Sequence, residues 1–119
     1  MSYPQRFGAT TLSAGGVASG AGNNTLIAAT EGTKIRVVAF SLTTLSTTGV
    51  LCIFQSGAGG EERWRVRLKA PTDVSTGANL ATSLPTYLFT CDENELLNLN
   101  LSAAESVDWA ISYVKEPVS

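Results

Sequence analysis

Arg63, Arg65, Arg67 and Lys69 are the residues whose type and spacing first suggest a role. They alternate with Trp64, Val66 and Leu68, so a period of two puts the cations on one face of a strand and the apolar residues on the other. The row holds four of the chain's eight Lys and Arg residues. Like charges set along one strand repel and call for a counter-charge. Candidates are acidic residues of a neighbouring strand (Asp108 among them), an acidic partner protein, or a nucleic-acid backbone. The plainer role is a solvated row that keeps the strand from pairing edge to edge. No aromatic is interleaved on the cationic face to stack bases, so a protein partner is preferred and nucleic acid is not expected.

Other chemistry is scarce. The chain has no histidine, which removes the usual general base and the usual metal ligand. There is no Gly-x-Ser-x-Gly, Gly-x-x-x-x-Gly-Lys or His-Glu-x-x-His. Asp92, Glu93 and Glu95 supply hard oxygen ligands, but not at the spacing of a calcium loop, and they read better as a solvated turn. Cys52 and Cys91 are not in a Cys-x-x-Cys pair. They are expected as two free thiols packed like small apolar groups, with a disulfide possible in an oxidising setting. Trp64 and Trp109 could form a sugar platform, yet both keep register with apolar neighbours and fit core packing better. No catalytic site, cofactor or metal is expected, and the chain is not read as an enzyme.

The elements that must position these residues are strands. Hydrophobic residues make up 44% of the 119 and charged ones 15%, a balance of a folded domain and not of a disordered tail. The net charge of −2 gives no bulk attraction to nucleic acid or to an anionic membrane. No run of 18 apolar residues crosses a membrane, and the first residues lack the apolar core of a secretory signal, so synthesis in a cytosol is expected. From Gly8 to Gly22 there are five glycines among small residues, which suits an extended N-terminal arm or a weak edge strand. Residues 1–22 are thus set apart from a domain of residues 23–119. If residues 1–22 are an arm that orders against a partner, deleting residues 1–20 spares folding but abolishes that binding.

Within that domain, Thr33–Leu42 is rich in β-branched and aromatic residues and turns apolar on both faces farther along, as in a central strand buried on two sides. With Val50–Gln55 it reads as a hairpin or meander pair. Gly57-Ala58-Gly59-Gly60 is a hairpin loop. Thr72–Leu80 is a possible edge strand. Leu97, Leu99 and Leu101 alternate with Asn98 and Asn100, and Val107–Val114 is a long final strand placed centrally. About eight short strands and no long helix indicate an all-β fold, a single antiparallel two-sheet sandwich that is jelly-roll-like.

Several segments in this order resemble the small β-sandwich capsid decoration, or cement, proteins of tailed bacteriophages. They are the small-residue N-terminal segment, Gly32-Thr33-Lys34-Ile35-Arg36-Val37-Val38, Leu84-Pro85-Thr86-Tyr87-Leu88-Phe89-Thr90, Glu95-Leu96-Leu97-Asn98-Leu99-Asn100-Leu101, and Val107-Asp108-Trp109-Ala110-Ile111-Ser112-Tyr113-Val114. The resemblance implies a homotrimer on the outer surface of a phage head, bridging subunits of the major capsid protein and stabilising the shell. It implies a virion location after synthesis in the host cytoplasm. A tail or fibre component, or a carbohydrate- or receptor-binding module, is the alternative on the same scaffold.

Overall fold

The computed structural model describes residues 11–44, 49–68, 76–82 and 86–118. The strands are β1 (Leu12–Ala18), β2 (Gly22–Ile27), β3 (Thr33–Thr44), β4 (Val50–Ser56), β5 (Glu61–Leu68), β6 (Thr76–Ala81), β7 (Phe89–Thr90), β8 (Leu97–Leu101) and β9 (Val107–Pro117). Among the described residues there is no helix. One sheet, sheet A, runs β1-β9-β3-β6, with β7 continuing along the same side of β3 as β6. The other, sheet B, runs β2-β8-β4-β5. Every pairing is antiparallel. Two four-strand orders of this kind, exchanging strands between the layers, make a jelly roll.

Strand alternation explains which residues fill the space between the sheets. Leu97, Leu99 and Leu101 of β8 and Val50, Cys52 and Phe54 of β4 come from sheet B. Ile35, Val37, Phe40 and Leu42 of β3 and Val107 and Ile111 of β9 come from sheet A. All are buried. Rings from both sheets meet at the centre: Phe54 lies 5.0 Å from Phe40 and 5.3 Å from Phe89, and Trp64 stacks on Phe89 at 5.9 Å. The long final strand is central, flanked by β1 and β3. Trp64 and Trp109 both pack against the core, as their register indicates.

Three one-residue slips correct the reading of individual strands. In β3 the register jumps between Val37 and Ala39, which leaves Val38 as a bulge. The bulge lets Ile35 and Val37 face inward before it and Phe40, Leu42 and Thr44 after it. The apolar run at Val37-Val38 therefore marks a phase change, and the outward side of β3 beyond it carries only Ala39, Ser41 and Thr43. β3 is buried on one face, not two. A second slip in β2 leaves Leu26 unpaired, so that Leu26 and Ile27 both reach the core. The third, in β5, falls at Arg63.

β3 and β4 are not a hairpin: they lie in different sheets and face each other across the core. Two strands with one strongly apolar face each bury more by facing than by lying side by side. The hairpin partner of β4 is β5, joined through Gly57–Gly60. Gly57 sits at φ 85°, and a Cβ there would run into the Glu95 carboxylate. Of the two readings of residues 1–22, the described stretch Leu12–Ala18 is an edge strand in seven-residue register with β9. Residues 1–10 lie outside the described residues.

Candidate functional site

The cationic row sits on β5, an edge of sheet B, and the bulge divides it. Glu62 opposes Gln55 and Trp64 opposes Phe54, so Arg63 is the extra residue between them. Its guanidinium leaves the row and reaches Asp92 at 2.8 Å and Glu61 at 2.7 Å, with the side chain only 21% exposed. Arg63 Nε is buried without a hydrogen-bond partner among the described residues. Arg63 therefore ties the β5 edge to the turn after β7, and is a structural ion pair more than a free surface cation.

Arg65 and Arg67 remain on the outer face, both exposed. Arg65 donates to Glu62 through Nε at 3.0 Å and through Nη2 at 2.8 Å. That hydrogen bond, helped by the Arg65 charge and opposed by slight desolvation, holds the Glu62 carboxyl below its ordinary value. The stabilisation it gives is present above the unfolded pKa and fades as pH falls, and for so exposed a pair it is small. Arg67 has no ion pair among the described residues. Lys69 lies outside the described residues. Counter-charges thus come from Glu61 and Glu62 of the same strand and from Asp92. Asp108 belongs to sheet A, where it stands opposite Val17 and Thr43, and does not face the row.

The outer face of sheet B carries a feature that the linear pattern hides. Asn98, fully buried, donates from Nδ2 to Gln55 Oε1 at 2.7 Å and to Asn23 Oδ1 at 2.9 Å. Asn23 Oδ1 also accepts from Gly59 N and from Asn100 Nδ2. This ladder of amides clips β2, β8 and β4 together and pins the Gly57–Gly60 loop over it. Only the Asn98/Asn100 alternation was visible beforehand, because Asn23 and Gln55 meet them through pairing of distant strands.

Asp92, Glu93 and Asn94 are exposed at the turn, with Asn94 at φ 66°. Asn94 Oδ1 accepts from Gly32 N at 2.6 Å and links this turn to the start of β3. Among the described residues no cluster of His, Cys, Asp or Glu is grouped to hold a metal ion.

Cys52 and Cys91 are both free and buried. Burial pushes each thiol up to about 11 from 9.0, although for Cys91 the Arg63 charge and a Ser56 hydrogen bond pull the other way. At pH 8 the native protein is expected to leave a thiol reagent such as DTNB unreacted, and to release two equivalents once unfolded in guanidinium. Fast reaction of either thiol in the native state would contradict this burial. Because folded-state thiol pKa values are raised, their neutral forms favour folding below pH 9, and that contribution is lost as pH rises from about 9 to about 11.

Sheet A presents a different exterior. Its outward rows are Ser13–Ser112–Ala39–Ala81 and Gly15–Ala110–Ser41–Asn79, with no charged residue in either. All of them but Gly15 line a shallow depression of about 530 Å³ that spans all four strands. Arginines and glutamates line the β5 edge of sheet B, while the middle of sheet A carries small uncharged residues between Lys34, Arg36 and Glu116 toward one end and Asp108 toward the other. Compared with protein-family models and with curated proteins, the chain matches none.

Proposed function

We propose that the chain is a virion structural protein without enzymatic activity, a capsid decoration or cement protein that binds the outer surface of a phage head. It works by self-association and by bridging subunits of the major capsid protein. Added buried interface between neighbouring subunits stabilises an assembled shell, because binding that favours one state shifts the equilibrium toward it. The observation that carries this reading is the exposed Arg65–Arg67 pair on the β5 edge of sheet B. Its cations suit an acidic protein surface, and the uncharged middle of sheet A lets a neighbouring subunit approach without burying charge. Neither surface needs a small-molecule pocket to act.

The test is cosedimentation of the purified protein with expanded phage heads. Replacing Arg65 and Arg67 together by Ser is expected to weaken head binding about tenfold, with folding intact, since both side chains are exposed. Raising the salt concentration is expected to weaken wild-type binding in the same direction. Unchanged affinity in the double variant would return this face to the role of solvated edge. Saturable binding to a glycan array with no affinity for heads would replace the cement reading by a sugar- or receptor-binding one. Arg63 is left out of the variant because its ion pairs serve the fold.

A further inference from the structure

Each sheet of an open sandwich ends in two edges, where every second residue turns its N–H and C=O away from its neighbour. Natural sheets protect such edges with charge, proline or a bulge. Sheet B follows this rule at both ends. β2 carries the bulge at Leu26, and β5 carries the bulge at Arg63 together with Glu61, Glu62, Arg65 and Arg67.

Sheet A does not. β1 keeps seven residues in unbroken register with β9, and β6 keeps six in unbroken register with β3. Neither strand contains a charged residue or a proline. Among the described residues neither pairs with a second strand. The exposed large hydrophobic side chains provide an independent observation. Among the described residues these are Leu12 (40%), Val17 (61%) and Leu80 (39%), and all three stand on β1 or β6.

Resting on the assembly reading above, we propose that β1 of one copy pairs with β6 of the next, so that sheet A continues head to tail through a closed ring of chains. The chemistry that an open edge recognises is another uncharged extended strand with unmatched backbone groups, and this chain carries one on each side of the same sheet. A two-fold contact of β1 with its own copy would leave β6 and Leu80 open to solvent. The β1–β6 contact covers both edges with one interface, and a heterologous contact that closes leaves no edge free.

Two double variants test the assignment. Ser13→Lys with Val17→Lys places charge on the outward side of β1, and Asn79→Lys with Ala81→Lys does the same on β6. Each edge then carries the protection that sheet A lacks. Light scattering after size exclusion reads the mass, and circular dichroism checks that the β-fold persists. Wild type is expected as a closed oligomer of three or more chains, and each variant alone at one chain mass. An equal mixture of the two variants is expected at twice the chain mass, because each keeps one open edge that fits the other's. A monomeric wild type overturns the proposal, as do variants that keep the full oligomer. A β6 variant that stays oligomeric beside a monomeric β1 variant means a two-fold β1 contact and overturns it too. Should a double variant lose its β spectrum, the single Val17→Lys, at the most exposed of these positions, gives the same readout. Head cosedimentation is separate. A protein that forms the ring yet ignores heads keeps this inference and removes the cement reading, and a monomer that decorates heads does the reverse.

Discussion

Replacing Phe54 by Ala is expected to destabilise the domain by about 4 kcal/mol and to lower its thermal midpoint by roughly 15 °C. Phe54 is fully buried. Its ring meets Phe40 at 5.0 Å and Phe89 at 5.3 Å, both from the opposite sheet. Phe40 in turn meets Trp64 edge-on at 6.2 Å. Two rings from each layer thus interlock where the sheets face each other, and removing one opens a cavity that strands cannot close without shifting a whole sheet. The loss has two parts, the transfer free energy of the missing ring and the cavity left behind. Phe54→Leu keeps most of the volume and is expected to cost about 1.5 kcal/mol or less. Urea unfolding followed by tryptophan fluorescence measures both, since Trp64 reports on the same cluster. A cost below about 1 kcal/mol for the Ala variant would show that the site collapses, and that the rings are not what joins the sheets.

Deleting residues 1–20 is the second large effect, and here the structure reverses the sequence expectation. An arm could be cut away without harm, but this cut removes β1, which holds seven residues of β9 in register and contributes the buried Ala18. Gly16 lies against the Trp109 indole, with its Cβ position 3.4 Å from Cζ2. Removing the strand uncovers that ring and leaves the backbone groups of β9 facing β1 without partners. With each net hydrogen bond contributing about 1 kcal/mol, a loss of roughly 3–5 kcal/mol is expected. The unfolding midpoint in urea should fall accordingly, with a red shift in native tryptophan emission. Unaltered stability would mean that β1 is not part of the folded sheet, and with it the edge on which ring assembly depends would go. Cutting after residue 10 keeps every strand described above and is the cleaner test of the N-terminal segment in head binding.

These two cases mark how far local pattern carries. Period-two alternation over Trp64–Leu68, Leu97–Leu101 and Val107–Val114 identified three strands and their inward faces, because a strand's two faces are written in its own residues. The turn at Gly57–Gly60 was equally legible, since only glycine tolerates the backbone it needs. Bulges were not. At Val37-Val38 a one-residue slip looks the same in sequence as burial on both faces, and only the partner register on β9 tells them apart. The same kind of slip at Arg63 turned one member of an evenly spaced cationic row toward Asp92, leaving Arg65 and Arg67 as its exposed remnant.

Cross-strand partners were out of reach for a related reason. Asn98 meets Asn23 and Gln55 only because β8 lies between β2 and β4, and no local spacing encodes that order. Of the counter-charges open to the β5 row, Asp108 sits on the other sheet, and the carboxylates that meet the row are Glu61 and Glu62 of the same strand and Asp92.

The sequence by itself determined that the chain is built of short antiparallel strands around an apolar interior, with Arg65 and Arg67 outside it and both thiols within. Composition and two-residue periodicity suffice for that, since both act within a single strand. Which strands stand side by side was decided by tertiary structure, and so was which edges remain open. Strand order depends on burying all the apolar faces at once, a condition no segment satisfies alone. The cationic row is therefore divided by a bulge that its own spacing does not announce. The uncharged edges of β1 and β6 become a pair only once both are placed at the ends of one sheet.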